Sequence, residues 1–167
     1  DPATFVRYVR ETRRALGSDD VTVGYAAHSI RAVPADWLPV IAEAAAEDDA
    51  PLHVHASEQR RELAECRAEH GLTPIALLAD RGFLGPRTTV VHATHATESE
   101  IDLLAGSGAI VCACPTTERD LGDGLLPARP LLERGVPVCF GSDFHTLVDA
   151  REEMRLAEYH ERLRLEQ

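Results

Sequence analysis

Four residues that can do chemistry recur at corresponding places along this chain: His55, Glu58, His92 and Asp143. Each stands at or just after the end of a short apolar run. Pro51–Ala56 passes into Ser57-Glu58-Gln59, Thr88–His92 into Ala-Thr-His95, and Val136–Gly141 into Ser-Asp-Phe-His145. Imidazole nitrogen and carboxylate oxygen together suit Zn²⁺ and similar ions. A lone histidine at such a place is ordinarily a hydrogen-bonded structural residue. Recurrence at successive runs is what predicts a metal site. A catalytic zinc keeps an open position for water and lowers that water's pKa toward neutrality. Asp143 is then the natural acceptor of the water's proton, and Glu58 the acid that passes a proton to a leaving group. His92 orients the water or stabilises developing charge. The chemistry is metal-assisted hydrolysis, with the bond unnamed.

His28 and Arg31 follow an earlier run. A guanidinium there can pair bidentately with a substrate carboxylate; a surface salt bridge is the equal alternative. His53 lies two residues before His55 and shares its face, and is expected to pack deeper in the core. His95 and His145 stand near the other strand ends. His70 and His160 fall on helices or turns and are expected in solvent. Thr116-Thr117-Glu118 and Gly122-Asp123-Gly124 belong to a polar stretch, Pro115–Gly124, that reads as a long loop. It either covers the site or merely connects.

These residues must be held by an alternation of strands and helices. The spacing predicts a helix over Ala3–Leu16, with Phe5, Tyr8, Val9, Thr12 and Leu16 on one face and Gly17 ending it. Asp20–Tyr25 is strand-like, with His28–Arg31 in the loop after it. Pro34–Glu47 is a second amphipathic helix that turns Trp37, Leu38, Ile41, Ala44 and Ala45 inward. Pro51–Ala56 is a strand, Ser57–Glu69 a polar helix closed by His70-Gly71, and Thr73-Pro74 opens another helix. Thr88–His92 is a strand, Thr97-Glu98-Ser99-Glu100 a capping box on a helix running to Ala105, and Ala109–Cys114 a strand. A short helix over Pro127–Arg134, a strand over Val136–Gly141 and a helix over Ala150–Leu165 complete the order. With no hairpin signal, this implies right-handed βαβ units and a parallel sheet. A doubly wound sheet and a slice of a (β/α)8 barrel fit equally, and both place chemistry at the carboxyl ends of strands.

At 167 residues the chain suits one domain or part of a larger one, and 44% apolar residues suffice for a core. A net charge of −11 argues against nucleic acid and anionic membranes as partners. No apolar run is long enough to span a bilayer, no signal peptide is visible, and a cytoplasmic location is expected. Cys66, Cys112, Cys114 and Cys139 read as reduced structural thiols rather than a disulfide framework. The first residue is not Met and the last lie within a helix, so both ends read as cut from a longer protein.

The segments His28-Ser-Ile-Arg-Ala-Val33, His53-Val-His-Ala-Ser-Glu-Gln59, Val91-His-Ala-Thr-His95, Cys114–Gly124, Gly141-Ser-Asp-Phe-His145 and Glu152–Tyr159 together resemble the amidohydrolase superfamily, and within it the formimidoylglutamate deiminases. The resemblance implies an α/β fold: a TIM-type (β/α)8 barrel, present here as roughly its second half, about five βα units, in a single domain fragment over residues 1–167. It implies one Zn²⁺ per complete site, with other divalent metals open, and hydrolysis of N-formimino-L-glutamate to N-formyl-L-glutamate and ammonia in histidine degradation. It assigns His55 and Asp143 as metal ligands, with Asp143 also the base. It gives Glu58 and His92 to proton transfer and activation, and His28 and Arg31 to substrate contact. Such enzymes carry two further ligands as a His-x-His pair on the first barrel strand, and a flanking β-sandwich. Neither is found here, so the isolated chain is expected to be inactive alone. The expected partners are a small substrate with carboxylates and, for the full-length enzyme, a second copy in a homodimer. Two alternatives stand beside this: a deaminase of an aromatic amine such as guanine, and a non-catalytic metal-binding or assembly module.

Overall fold

The computed structural model describes all of the 167 residues except Gly17 and Asp19. Gly17, expected to end the first helix, lies outside the described residues. The elements in order are α1 (Pro2–Leu16), β1 (Tyr25–Ser29), α2 (Leu38–Glu47), β2 (Leu52–Ala56), α3 (Arg60–His70), α4 (Pro74–Asp80), β3 (Thr88–His92), α5 (Glu98–Ser107), β4 (Ile110–Ala113), α6 (Pro115–Leu121), α7 (Ala128–Glu133), β5 (Val138–Phe140) and α8 (Ala150–Leu165).

All neighbouring strands pair in parallel, in the order β1-β2-β3-β4-β5. This order separates the two architectures that periodicity leaves open. A doubly wound sheet reverses its strand order at a switch point. Here each strand lies beside its predecessor, as consecutive strands of a (β/α)8 barrel do. Right-handed crossovers in an unreversed order keep the connecting helices on one face.

The burial pattern follows. Leu52, Val54 and Ala56 of β2 are buried toward the helices, as are Val90 of β3 and Val111 and Ala113 of β4. The opposite face carries His53, His55, Val91 and Cys112 and is more open. His53 is exposed there, which corrects the expectation that it packs into the core: it shares the face of His55, but no side-chain layer covers it. Ile41, Ile75, Leu78, Ile101 and Leu104 are fully buried among the helices and the strands beneath them. Each such side chain contributes about 1.5–3 kcal/mol by leaving water.

Several boundaries differ from the sequence expectation. The first strand begins at Tyr25, where the expected one ends. Tyr25 N–H donates to Pro51 O at 2.8 Å. A Cβ on Gly24 would lie 2.7 Å from that same oxygen, so the chain enters the sheet by a close approach that only glycine permits. His28 therefore belongs to β1 and not to a loop. The second helix begins at Leu38, because residues 34–37 form turns ahead of it. On α1 the buried residues are Val6 and Val9, with Phe5 against the core, while Tyr8 and Leu16 are exposed. That helix packs chiefly on α2, through a narrower stripe than the spacing suggests.

The largest correction concerns Pro115–Gly124. It is not a loop but α6, with Pro115 in its first turn and Gly122 closing it at φ 71°. Pro-Thr-Thr reads as a turn by composition, but here it is a helix start sealed under α8. The capping box of α5 forms as expected: Thr97 Oγ1 accepts from Glu100 N at 3.4 Å and Glu100 Oε2 accepts from Thr97 N at 2.9 Å. His70 and His160 are half-buried rather than free in solvent.

Candidate active site

The carboxyl ends of β1, β2, β3 and β5 leave ideal strand geometry in the same way. His28 (φ 45°), Ser57 (φ 54°), His92 (φ 74°), Ala93 (φ 54°) and Asp143 (φ 45°) occupy the left-handed region although none is glycine. Such conformations cost about 1–3 kcal/mol each and cluster where side chains must be aimed for function. His92 shows the consequence. By alternation it follows Thr88 and Val90, which face the helices. The turned backbone places its ring instead 5.6 Å, centroid to centroid, from the ring of His55. The His28 ring lies 5.0 Å from His55 on the other side. Three imidazoles thus form a row along the strand ends.

His92 is the hub. Its Nε2 is 3.6 Å from Glu58 Oε1 and 3.8 Å from Asp143 Oδ2, and its Nδ1 is 3.3 Å from Glu118 Oε1. Burial opposes charging the ring. The hydrogen bond that His92 donates to Glu118 and the charges of Glu58, Glu118 and Asp143 outweigh it, and hold the His92 pKa above the ordinary histidine value. Arg31 Nη2 reaches Glu58 Oε2 at 2.5 Å. The Glu58 side chain is 9% exposed and that of Arg31 30%, so the pair sits at the rim, with the carboxylate inward.

His55 Nδ1 is 2.8 Å from the backbone oxygen of His28. A carbonyl can only accept, so Nδ1 carries a hydrogen and Nε2 is the nitrogen left to face the site. Metal-binding histidines are commonly set up this way. Among the described residues, however, no group of three or more His, Cys, Asp or Glu is arranged to hold a metal ion. The donor chemistry of His55 and Asp143 fits a metal, but these two do not complete a site by themselves.

Three buried glutamates that sequence reasoning did not assign position these groups. Glu62, on the first turn of α3, accepts from Ser57 N at 3.1 Å and Glu58 N at 2.9 Å. It fixes the turn that presents Glu58. Burial pushes the Glu62 pKa up, against the amide hydrogen bonds that favour its ionised form. Glu118 accepts from Cys114 N at 2.9 Å while it holds His92. Glu153 of α8 accepts from Thr116 N at 3.0 Å and Thr116 Oγ1 at 2.5 Å, locking the start of α6. Glu62 lies four residues past Glu58, on the same helix-side turn; that spacing was the available signal.

The remaining expectations divide. Gly122-Asp123-Gly124 packs against the site wall: Asp123 accepts from Gln59 Nε2 at 2.9 Å, and its backbone oxygen is 2.7 Å from His95 Nε2. His145 turns away from His92, with Nε2 3.0 Å from Asp120 Oδ2. His28, Arg31, His55, Glu58, His92 and Asp143 share one sheet edge. Glu58, Asp143 and His92 converge, and His55 and His28 adjoin them.

Comparison with known proteins agrees with this fold. The chain is 36% identical over 160 residues to a formimidoylglutamate deiminase of Pseudomonas aeruginosa, covering 96% of this chain and 35% of that one. It is 32% identical over 167 residues to a 5'-deoxyadenosine deaminase of Methanothermobacter thermautotrophicus, covering 95% and 39%. It superposes on the crystal structure of an amidohydrolase from Brucella melitensis with a TM-score of 0.92 and 36% identity, covering 100% of this chain and 37% of that one. On a zinc-bound adenosine deaminase from Xanthomonas campestris the TM-score is 0.90 at 26% identity, covering 98% and 38%. The chain thus spans little more than a third of the length of these relatives. Residues 3–167 match the model of the amidohydrolase family, and the chain belongs to that family.

Proposed function

We propose that this chain forms one wall of the active site of a zinc-dependent deaminase that hydrolyses the C=N bond of N-formimino-L-glutamate, giving N-formyl-L-glutamate and ammonia. The observation that carries this reading is the Arg31–Glu58 pair beside His92. A guanidinium at the rim is placed to exchange its internal carboxylate for the carboxylates of a linear substrate. The similarity to the Pseudomonas deiminase supports the same choice.

His55 and Asp143, with further ligands supplied by the rest of the barrel, would hold the zinc, which would provide Lewis acidity and activate the attacking water. Asp143 takes a proton from the attacking water. Glu58 delivers a proton to the imino nitrogen; the proton held by Asp143 then passes to the same nitrogen, the hydroxyl proton returns to Glu58, and ammonia leaves as the C=O bond forms. His92, held at Nδ1 by Glu118, donates from Nε2 toward the oxygen that develops charge. Arg31 and His28 orient the substrate. We assign residues 1–167 to a single partial barrel domain of a cytoplasmic enzyme in histidine degradation. Its partners are a carboxylate-bearing small molecule and, in the full-length enzyme, a second copy, not nucleic acid or membrane. Among the described residues no helix is long and apolar enough to cross a bilayer.

A deaminase of an aromatic amine is the second reading, favoured by the likeness to the 5'-deoxyadenosine and adenosine deaminases. Ammonia release from N-formimino-L-glutamate, 5'-deoxyadenosine and guanine by the zinc-loaded full-length protein decides between them. Preference for the formimino compound supports the proposal; preference for a heterocycle overturns it. Zinc bound with no turnover of any would mark a non-catalytic module.

A further inference from the structure

The open face of the sheet carries a second cluster of reactive side chains, outside the site above. Cys112 of β4 and Cys139 of β5 are register partners on adjacent parallel strands. Cys112 and Cys114 lie two residues apart at the end of β4, so the sulfurs of all three cysteines are neighbours on this face. A Cβ placed on Gly141 would lie 3.4 Å from Cys112 Sγ and 3.5 Å from Cys114 Sγ, so both sulfurs pack on that glycine. Cys139 is exposed, Cys112 half-buried and Cys114 buried, and all are free thiols. No three His, Cys, Asp or Glu among the described residues are arranged to hold a metal, so the trio is read as thiol chemistry rather than a soft-metal site.

We propose that Cys112 and Cys139 are a modification site for hydroperoxides, which join the two sulfurs in a disulfide across the β4–β5 ladder. Paired strands bring register partners to about 4.8 Å between Cα atoms, within the roughly 4.4–6.8 Å that a disulfide spans. Cys112 and Cys114 are two residues apart on one strand, so their Cα atoms stand near the upper limit, at roughly 6.6 Å. Cys139 is therefore the resolving partner.

The neighbouring Cys114 thiol brings the Cys112 pKa down to about 7, against the effect of burial. Burial pushes Cys139 up to about 11, so Cys112 is the thiolate that attacks first. Its sulfur attacks the O–O bond of hydrogen peroxide, forming a sulfenic acid and releasing hydroxide. The Cys139 sulfur then attacks that sulfur. An S–S bond forms, the S–O bond breaks, and the oxygen leaves as water with the protons of the two thiols accounted for. Two thiols lose two electrons and one peroxide becomes two waters. The fourth cysteine, Cys66, is buried on α3, where burial raises its pKa to about 11. It is the internal control.

This inference does not depend on the substrate of the deaminase. The test is to treat the purified full-length protein with near-stoichiometric hydrogen peroxide, block remaining thiols with iodoacetamide and map the peptides. A Cys112–Cys139 disulfide reversible by dithiothreitol, with Cys66 and Cys114 alkylated, is expected. Cys139→Ser should instead leave Cys112 as a sulfenic acid trapped by dimedone, and Cys112→Ser should abolish the disulfide. Oxidation of Cys66 ahead of Cys112, or over-oxidised Cys112 without any disulfide in the unmodified protein, would overturn it. The last readout needs no variant to fold.

Discussion

Glu118 Oε1 lies 3.3 Å from His92 Nδ1, and the two side chains are only 3% and 1% exposed. A buried carboxylate on one ring nitrogen commits the other to the site. Glu118→Gln is expected to keep the Cys114 contact and the fold while loosening the ring's orientation, lowering kcat about 10–100-fold with little change in KM. Steady-state kinetics beside a thermal melt check this; an unchanged kcat would show that the pair is only structural.

Arg31 has two carboxylates to choose between, its internal partner and that of the substrate. Losing a charge-assisted hydrogen bond costs about 1.5–3 kcal/mol, so Arg31→Ala should raise KM for N-formimino-L-glutamate roughly 10–100-fold. Turnover of any neutral heterocycle should change far less. A uniform loss on both substrate classes would mean that Arg31 acts only through Glu58.

Glu58 is held by Arg31 on one oxygen and faces His92 with the other. General acid catalysis contributes about 10²–10⁴-fold, so Glu58→Gln should reduce kcat by that order while the protein stays folded. Residual activity that is near normal at every pH would remove Glu58 from the proton path.

His55→Ala should lower the zinc retained after dialysis without unfolding the sheet, because Nδ1 leaves only the His28 carbonyl behind. Metal content by atomic spectroscopy, with circular dichroism as the control, reads both. Full zinc occupancy in the variant would move the metal elsewhere.

Away from the site, Asp48 Oδ2 accepts from Tyr25 OH at 2.5 Å and from Arg10 Nε at 3.1 Å. The hydrogen bond from Tyr25, then that from Arg10, holds the Asp48 pKa below the ordinary aspartate value. A depressed folded pKa gives stability that is present above the unfolded value, about 3.9, and lost as pH falls through the folded one. Asp48→Asn should therefore cost about 1 kcal/mol at pH 7, and the difference should shrink by pH 3. Urea denaturation at the two pH values checks it; an equal difference at both would show that the charge is not what matters.

The alternation of elements, the parallel sheet and the six residues gathered at one sheet edge were legible in the sequence. Apolar period and residue type are local properties, and a motif at a strand end keeps its place whatever the helices do. Tertiary structure alone decided the rest. The unreversed strand order separated a barrel slice from a doubly wound sheet, which no period encodes. His53 proved exposed because burial depends on what lies opposite a strand, not on the strand. Pro115–Leu121 is helical because Glu118 and Glu153 tie its first turn to His92 and α8, contacts 26 and 37 residues apart in sequence. The meeting of Cys112 with Cys139, likewise, is set by the register of two strands and not by the spacing of either.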